Sequence, residues 1–197
     1  MSSTASSSGS RPPSSAGTAD IAGPARAVPG RALPDGWRLA PLVPADCDEL
    51  GRVHMAVWRE AYAGIMPADY LAGLSDESCA NRWRTIAAAP PAEGGTLVVH
   101  DPAGRIAGFA SAGASRDDDA PTPWELYAVN LAARARGTGV ADALLDRLVG
   151  DRDASLWVVE DNARARAFYE RRGFADEGGR CEHEPTGTTE IRMVRRT

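Results

Sequence analysis

The run Arg136-Gly137-Thr138-Gly139-Val140-Ala141 constrains this chain more than any other feature. A β-rich segment from Glu125 to about Ala132 leads into it, and Val140, Leu144, Leu145 and Leu148 follow at helical spacing. A strand that passes through two glycines straight into an amphipathic helix belongs to a fold in which helices cover a sheet. The first-turn N–H groups of such a helix lack intrahelical partners, and the helix dipole adds partial positive charge there. Gly137 and Gly139 let an anion approach that backbone with no Cβ in the way. The junction therefore predicts a diphosphate cradle, although on its own it equally fits a glycine-rich turn without a ligand. It is not a dinucleotide fingerprint, because Asp142 stands where the third glycine of G-x-G-x-x-G belongs, and the preceding elements do not form a βαβ unit.

Composition removes several other chemistries. All 22 basic residues are arginine, set against 27 acidic residues, for a net charge of −5. Without lysine there is no Walker phosphate loop, no lysine Schiff base and no S-x-x-K nucleophile. An acidic chain is a poor partner for nucleic acid, where counterion release dominates affinity. No apolar run approaches the roughly 18 residues of a membrane helix, and the Ser-rich start lacks a secretory apolar core. Cys47, Cys79 and Cys181 are odd in number and widely spaced, which speaks against a disulfide framework and for a reducing, cytoplasmic setting.

Residues 1–36 are dominated by Ser, Ala, Gly and Pro, and are expected to form a disordered tail. One folded domain is expected over residues 37–197. A first strand starts at Trp37, and Asp46 with Glu49 reads as a capping box opening a helix that ends near Gly64, ahead of Pro67. A second helix spans Ser75 to Ala89. Thr96–His100 and Ile106–Ala112 flank a turn and predict a hairpin. Strands follow at Glu125–Ala132 and Leu156–Glu160, helices at the glycine junction and at Asn162–Arg172, and last strands at Phe174 and Thr189–Val194. The expected fold is α+β, of order β-α-α-β-β-β-α-β-α-β-β: a mixed, mostly antiparallel seven-stranded sheet with helices on both faces.

The segments E125-L-Y-A-V-N-L131, R136-G-T-G-V-A-D-A-L-L145 and L156-W-V-V-E-D-N-A-R-A-R-A-F-Y-E-R-R-G-F174 closely resemble the GNAT superfamily of acyl-CoA-dependent N-acyltransferases. Its diphosphate motif, [Q/R]-x-x-G-x-[G/A], is met by Arg136, Gly139 and Ala141, and in a second register by Arg134, Gly137 and Gly139. Its N-x-x-x-x-x-F-Y-x-x-x-G-F signature is met by Asn162, Phe168, Tyr169, Gly173 and Phe174. The resemblance runs from Trp37 to the end, sharp after residue 124 and looser before it.

The resemblance implies an acetyl-CoA-dependent N-acetyltransferase that acts on a primary amine, with no metal, by direct attack in a ternary complex. It implies that Val129 and Leu131 pair with the pantetheine arm in a gap between splayed strands, and that the Val129 N–H is a candidate oxyanion donor. The N–H groups of Gly137, Thr138, Gly139, Val140 and Ala141 would hold the diphosphate beside Arg136. Asn162 would meet the pantetheine end, or simply cap its helix. Glu125 becomes the candidate general base, or a solvated strand-end carboxylate, and Tyr169 the proton donor to the leaving thiolate, or a core residue. Trp58 and Tyr62 are candidates for the acceptor groove, or core residues. Asp117–Asp119, Glu182 and Glu184 fall on loops that would favour a cationic amine or are simply solvated, while Arg164, Arg166 and Arg171 read as helix surface in preference to contacts with the cofactor's 3′-phosphate. Cys181-x-His183 is at most half of a metal site. The expected partner is a small-molecule amine acceptor, with a homodimer left open, and with neither nucleic acid nor membrane. A protein amino group remains open as acceptor, and a non-catalytic acyl-CoA sensor as the rival role.

Overall fold

The computed structural model describes residues 32–183 and 186–197; the chain up to Arg31, with Glu184 and Pro185, lies outside them, and with it most of the expected tail. Strand β1 (Arg38–Pro41) is followed by α1 (Cys47–Ala61), α2 (Ala68–Ala72) and α3 (Asp76–Ala88). Then come β2 (Gly95–His100), β3 (Ile106–Ala114), β4 (Trp124–Leu131) and α4 (Val140–Leu148). The chain finishes with β5 (Ala154–Val159), α5 (Ala163–Arg171), β6 (Ala175–His183) and β7 (Thr188–Arg195). All seven strands join one sheet in the order β1-β2-β3-β4-β5-β7-β6. Each pairing is antiparallel except β4 with β5. This is the expected mixed sheet.

Alternation along β2 and β3 sends side chains to two cores. Val98 and Phe109 join Cys47, Leu50, Met55, Cys79 and Trp83 beneath α1 and α3. Val99 and Ala110 join Leu144, Leu145, Leu156, Tyr169 and Ile191 on the opposite face, beneath α4 and α5. Leu33 and Trp37 pack against this second core, so ordered packing reaches ahead of residue 37.

Three local expectations are corrected. Helix α2 is additional: Pro67 serves as its N-cap residue, and its five residues are too few to show a period. Asp46 and Glu49 do not make a capping box. Glu49 Oε1 instead accepts the Ile106 N–H at 2.8 Å, tying α1 to the start of β3. Strand β6 occupies Ala175–His183 rather than a point near Phe174, and as a largely exposed edge strand it has no apolar alternation to read.

In the α1–α3 layer the His54 ring lies 4.7 Å from that of Phe109 and 5.6 Å from that of Trp83, with Cys79 Sγ 3.3 Å from its Nδ1. Burial, assisted by the nearby Arg82, lowers His54 to about 4. The unfolded chain takes up this proton near pH 6.5 and the folded chain resists it. Stability should therefore fall as pH drops from 6.5 to 4, by about 3 kcal/mol from this group. Urea unfolding across that window should show the loss in the wild type and a shallower slope in His54→Phe.

Candidate active site

Strands β4 and β5 pair only at Trp124↔Ala154 and Glu125↔Ser155. The cause lies on the other edge of β4. There Ser111 faces Ala128 and Ala112 faces Leu126, so Tyr127 is an extra residue in the ladder. Such a bulge bends its strand and sharpens the local twist, and here it turns β4 away from β5 just past Glu125. The gap opens into a cavity of about 380 Å³ whose lining includes Val129, Leu131, Arg136, Gly137, Ala141, Asn162 and Tyr169. Trp58 and Tyr62 of α1 line it too, their rings edge to face at 5.1 Å. They also pack beside Met66, Leu71 and Val159, so the same two rings line the cavity and belong to a core cluster.

A second cavity, of about 340 Å³, shares Gly137, Ala141, Phe168 and Arg171 with the first and adds Thr138, Gly139 and Asp142. Gly137 and Gly139 have φ of 73° and 92°, the left-handed region open to glycine, and a Cβ on either would project into open space. The Ala143 N–H is bonded to the Gly139 carbonyl, which leaves the N–H groups of Ala141 and Asp142 as the orphan donors of the first turn. Thr138 Oγ1 donates to the Ala135 carbonyl and takes a weak bond from the Val140 N–H. Asp142 would oppose an anion here, but Arg172 pairs with it at 3.4 Å. The indole N–H of Trp124 donates to the Leu148 carbonyl at 2.9 Å, fixing the far end of α4 to the root of β4. The donors thus sit on a rigid element.

Arg134 is spent elsewhere, on Asp101 and the Ile106 carbonyl, which favours the register led by Arg136. The Arg136 Nε donates to the Leu131 carbonyl at 3.1 Å, and its guanidinium grips Glu60 at the end of α1. That hydrogen bond holds Glu60 below the usual carboxylate range. Because Glu60 competes for the cation that an incoming phosphate would use, Glu60→Gln should tighten coenzyme A binding about two- to fivefold at low salt and less at high salt. Titration calorimetry at two ionic strengths checks this.

Glu125 is not brought to the cavity. It is 1% exposed, and its carboxylate takes the Arg116 backbone N–H at 2.9 Å and the guanidinium at 2.6 Å. The Arg116 guanidinium lies 3.9 Å from the centre of the Tyr127 ring. Next along the chain, Asp117 accepts the Trp157 indole N–H at 2.7 Å, and Asp119 pairs with Arg192 at 3.1 Å. Glu125 therefore anchors the loop that carries Asp117 and Asp119. Asn162 Oδ1 caps α5 through the Ala165 N–H and also lines the cavity. Arg164 and Arg171, expected on the helix surface, line the cavity as well. Among the described residues no three His, Cys, Asp or Glu side chains gather as metal ligands. Nor, among them, is any helix long and apolar enough to cross a membrane.

The sequence reading missed Tyr127, Trp157 and Glu190, which also line the cavity. Their only local signal was alternation, with Glu190 and Arg192 set against Ile191 and Met193. The placement of Glu190 beside the gap depends on the pairing Val159↔Glu190, a long-range contact.

Residues 55–174 match the model of the acetyltransferase (GNAT) family. The chain belongs to that family. The acetyltransferase is 30% identical over 123 residues to the N-acetyltransferase YuaI of Bacillus subtilis, covering 59% of this chain and 68% of that protein. It is 24% identical over 164 residues to a Mycobacterium tuberculosis protein named as a probable N-acetyltransferase, covering 82% and 92%. Its fold is that of the PaiA N-acetyltransferase from Thermoplasma acidophilum in complex with coenzyme A, with a TM-score of 0.60 at 18% identity over 82% of this chain and 99% of the other. The chain is thus an acyl-CoA-dependent acetyltransferase, with an acceptor and acetyl-CoA as its two substrates.

Proposed function

We propose that this acetyltransferase moves the acetyl group of acetyl-CoA to the primary amine of a small molecule, by direct attack while both substrates are bound. The observation that carries this reading is the gap between β4 and β5, joined at one end to the α4 cradle and walled at the other by Trp58, Tyr62, Tyr127 and Trp157. The glycine backbone, open where a Cβ would project, fits a diphosphate. Gly137, Thr138, Gly139, Val140 and Ala141 hold it there, with Arg136 beside it. Val129 and Leu131 flank the pantetheine arm, Asn162 meets its end, and the Val129 N–H faces the carbonyl oxygen as charge develops. When bound, acetyl-CoA supplies a thioester carbonyl open to attack.

Tyr169, lining the gap from α5, is the donor to the departing thiolate. Burial, then the neighbouring Tyr62, raises its hydroxyl well above the ordinary phenol range, so it keeps its proton throughout the working pH range. Against a thiol near 8.5 it acts as a hydrogen-bond donor, and solvent completes the protonation. No cysteine is needed as a nucleophile: Cys47 and Cys79 are buried, Cys181 is exposed, and none lines the gap. The three free thiols fit a reducing, cytoplasmic setting.

Free-thiol release from acetyl-CoA across a panel of primary amines tests the proposal. Turnover with intersecting double-reciprocal plots is expected. Coenzyme A binding without turnover on any amine would instead make the protein an acyl-CoA sensor.

A further inference from the structure

A protonated amine cannot attack, so the site needs a group to take its proton. Glu125 is committed to Arg116, away from the gap. Among the residues lining the main cavity the carboxylate is that of Glu190. It stands on β7 opposite Val159, and so shares its face of the sheet with Val159 and Trp157 on β5. That face meets α1 and α2, where Val159 packs with Met66 and Leu71 beside Trp58 and Tyr62. Tyr62 lies close enough for the Glu190 charge to be felt at its hydroxyl. A carboxylate set among aromatic rings suits an alkylammonium, which gains from the anion and from the ring faces together.

We propose that Glu190 is the proton acceptor of this acetyltransferase, and that it admits the acceptor as an alkylammonium ion. The inference rests on the amine-transfer reading above. In balance, the ammonium N–H proton passes to the Glu190 carboxylate and the freed lone pair forms the new C–N bond. The C–S bond then breaks, its electron pair leaving on sulfur as thiolate, and the second proton, shed by the now cationic nitrogen, passes through solvent to that thiolate and leaves a neutral amide. Glu190 returns its proton to solvent at the end of the cycle. Glu125 is a positioning residue, acting through Arg116 and the loop that carries Asp117.

The titratable and charged groups on the elements around Glu190 are Tyr62 on α1, Tyr70 on α2 and Tyr169 on α5. With them stand Cys181, His183 and the Arg180–Glu160 pair at the β6 edge, the Arg192–Asp119 pair, and Arg164.

The test is the pH profile of kcat/KM for n-butylamine in the wild type, Glu190→Gln, Glu190→Asp and Glu125→Gln. An alkylamine has a pKa near 10.4, so an enzyme that must wait for the neutral amine gains about tenfold in kcat/KM per pH unit below that value. The wild type accepts the ammonium ion and should be nearly flat from pH 7 to 9. Glu190→Gln should lose roughly 10²–10⁴-fold at pH 7, the deficit shrinking about tenfold per pH unit as pH rises. Glu190→Asp should recover a flat profile at reduced rate, with coenzyme A affinity unchanged in both variants. Glu125→Gln should keep the shape of the wild-type profile. A deficit in Glu190→Gln that does not vary with pH, or no deficit, overturns the role of Glu190 alone. A wild type that releases no thiol with any amine overturns the transfer reading and this one with it.

Discussion

Gly139→Asp is expected to cost this acetyltransferase at least a hundredfold in coenzyme A affinity, measured by calorimetry with the free coenzyme. Two physical effects act in the same direction. Gly139 sits at φ 92° as the N-cap of α4, and a residue with a Cβ held in such a region carries about 1–3 kcal/mol of strain. A Cβ there would also extend into open space between the cradle and the second cavity, so the added carboxylate would occupy the place the diphosphate needs. Like charges about 4 Å apart at an effective dielectric near 20 repel by roughly 4 kcal/mol, above the ~2.8 kcal/mol that a hundredfold loss represents. Gly139→Ala separates the two effects, because it keeps the strain and omits the charge; its loss should be about tenfold or less. Circular dichroism should show both variants folded, since α4 remains packed through Val140, Leu144, Leu145 and Leu148. Wild-type affinity in the aspartate variant would remove the diphosphate from this helix.

What the sequence disclosed and what it hid divide along one physical line. Val140, Leu144, Leu145 and Leu148 announced α4 because helix periodicity is local, and the glycines before it announced the turn because its left-handed backbone needs them. Asn162 could be read as a cap for the same reason, and it is one. Sites formed by pairing across the sheet stayed hidden. Nothing in the spacing of Glu125 says that Arg116 will close on it, and the carboxylate that looked free for chemistry is the one the fold has enclosed. Nothing near Glu190 says that β7 will slot between β5 and β6 and place it at the gap. Strand β6 escaped because edge strands face water, and the five-residue α2 because it completes too little of a period to be seen.

Tyr169→Phe should lower kcat about a hundredfold while moving the KM for acetyl-CoA by no more than about threefold. The substitution keeps the ring, and the ring is what packs: Tyr169 lies 5.3 Å from Phe168 and 5.9 Å from Phe174, inside the core beneath α5. Only the hydroxyl is lost, so stability should scarcely change and any rate effect belongs to the hydroxyl. If that group served packing alone, phenylalanine would be silent. If it steadies the departing sulfur, its contribution appears only as negative charge develops there, and so in kcat rather than in ground-state affinity. Burial sharpens the expectation further. A phenol raised above its ordinary range stays protonated when the pH passes 9, so the wild-type kcat should show no tyrosine-linked decline up to about pH 10. A decline centred between pH 8 and 9 in the wild type and absent from Tyr169→Phe would show an acid much stronger than its surroundings permit. A kcat within twofold of wild type would take Tyr169 out of the reaction and leave the thiolate to be met by solvent entering through the gap.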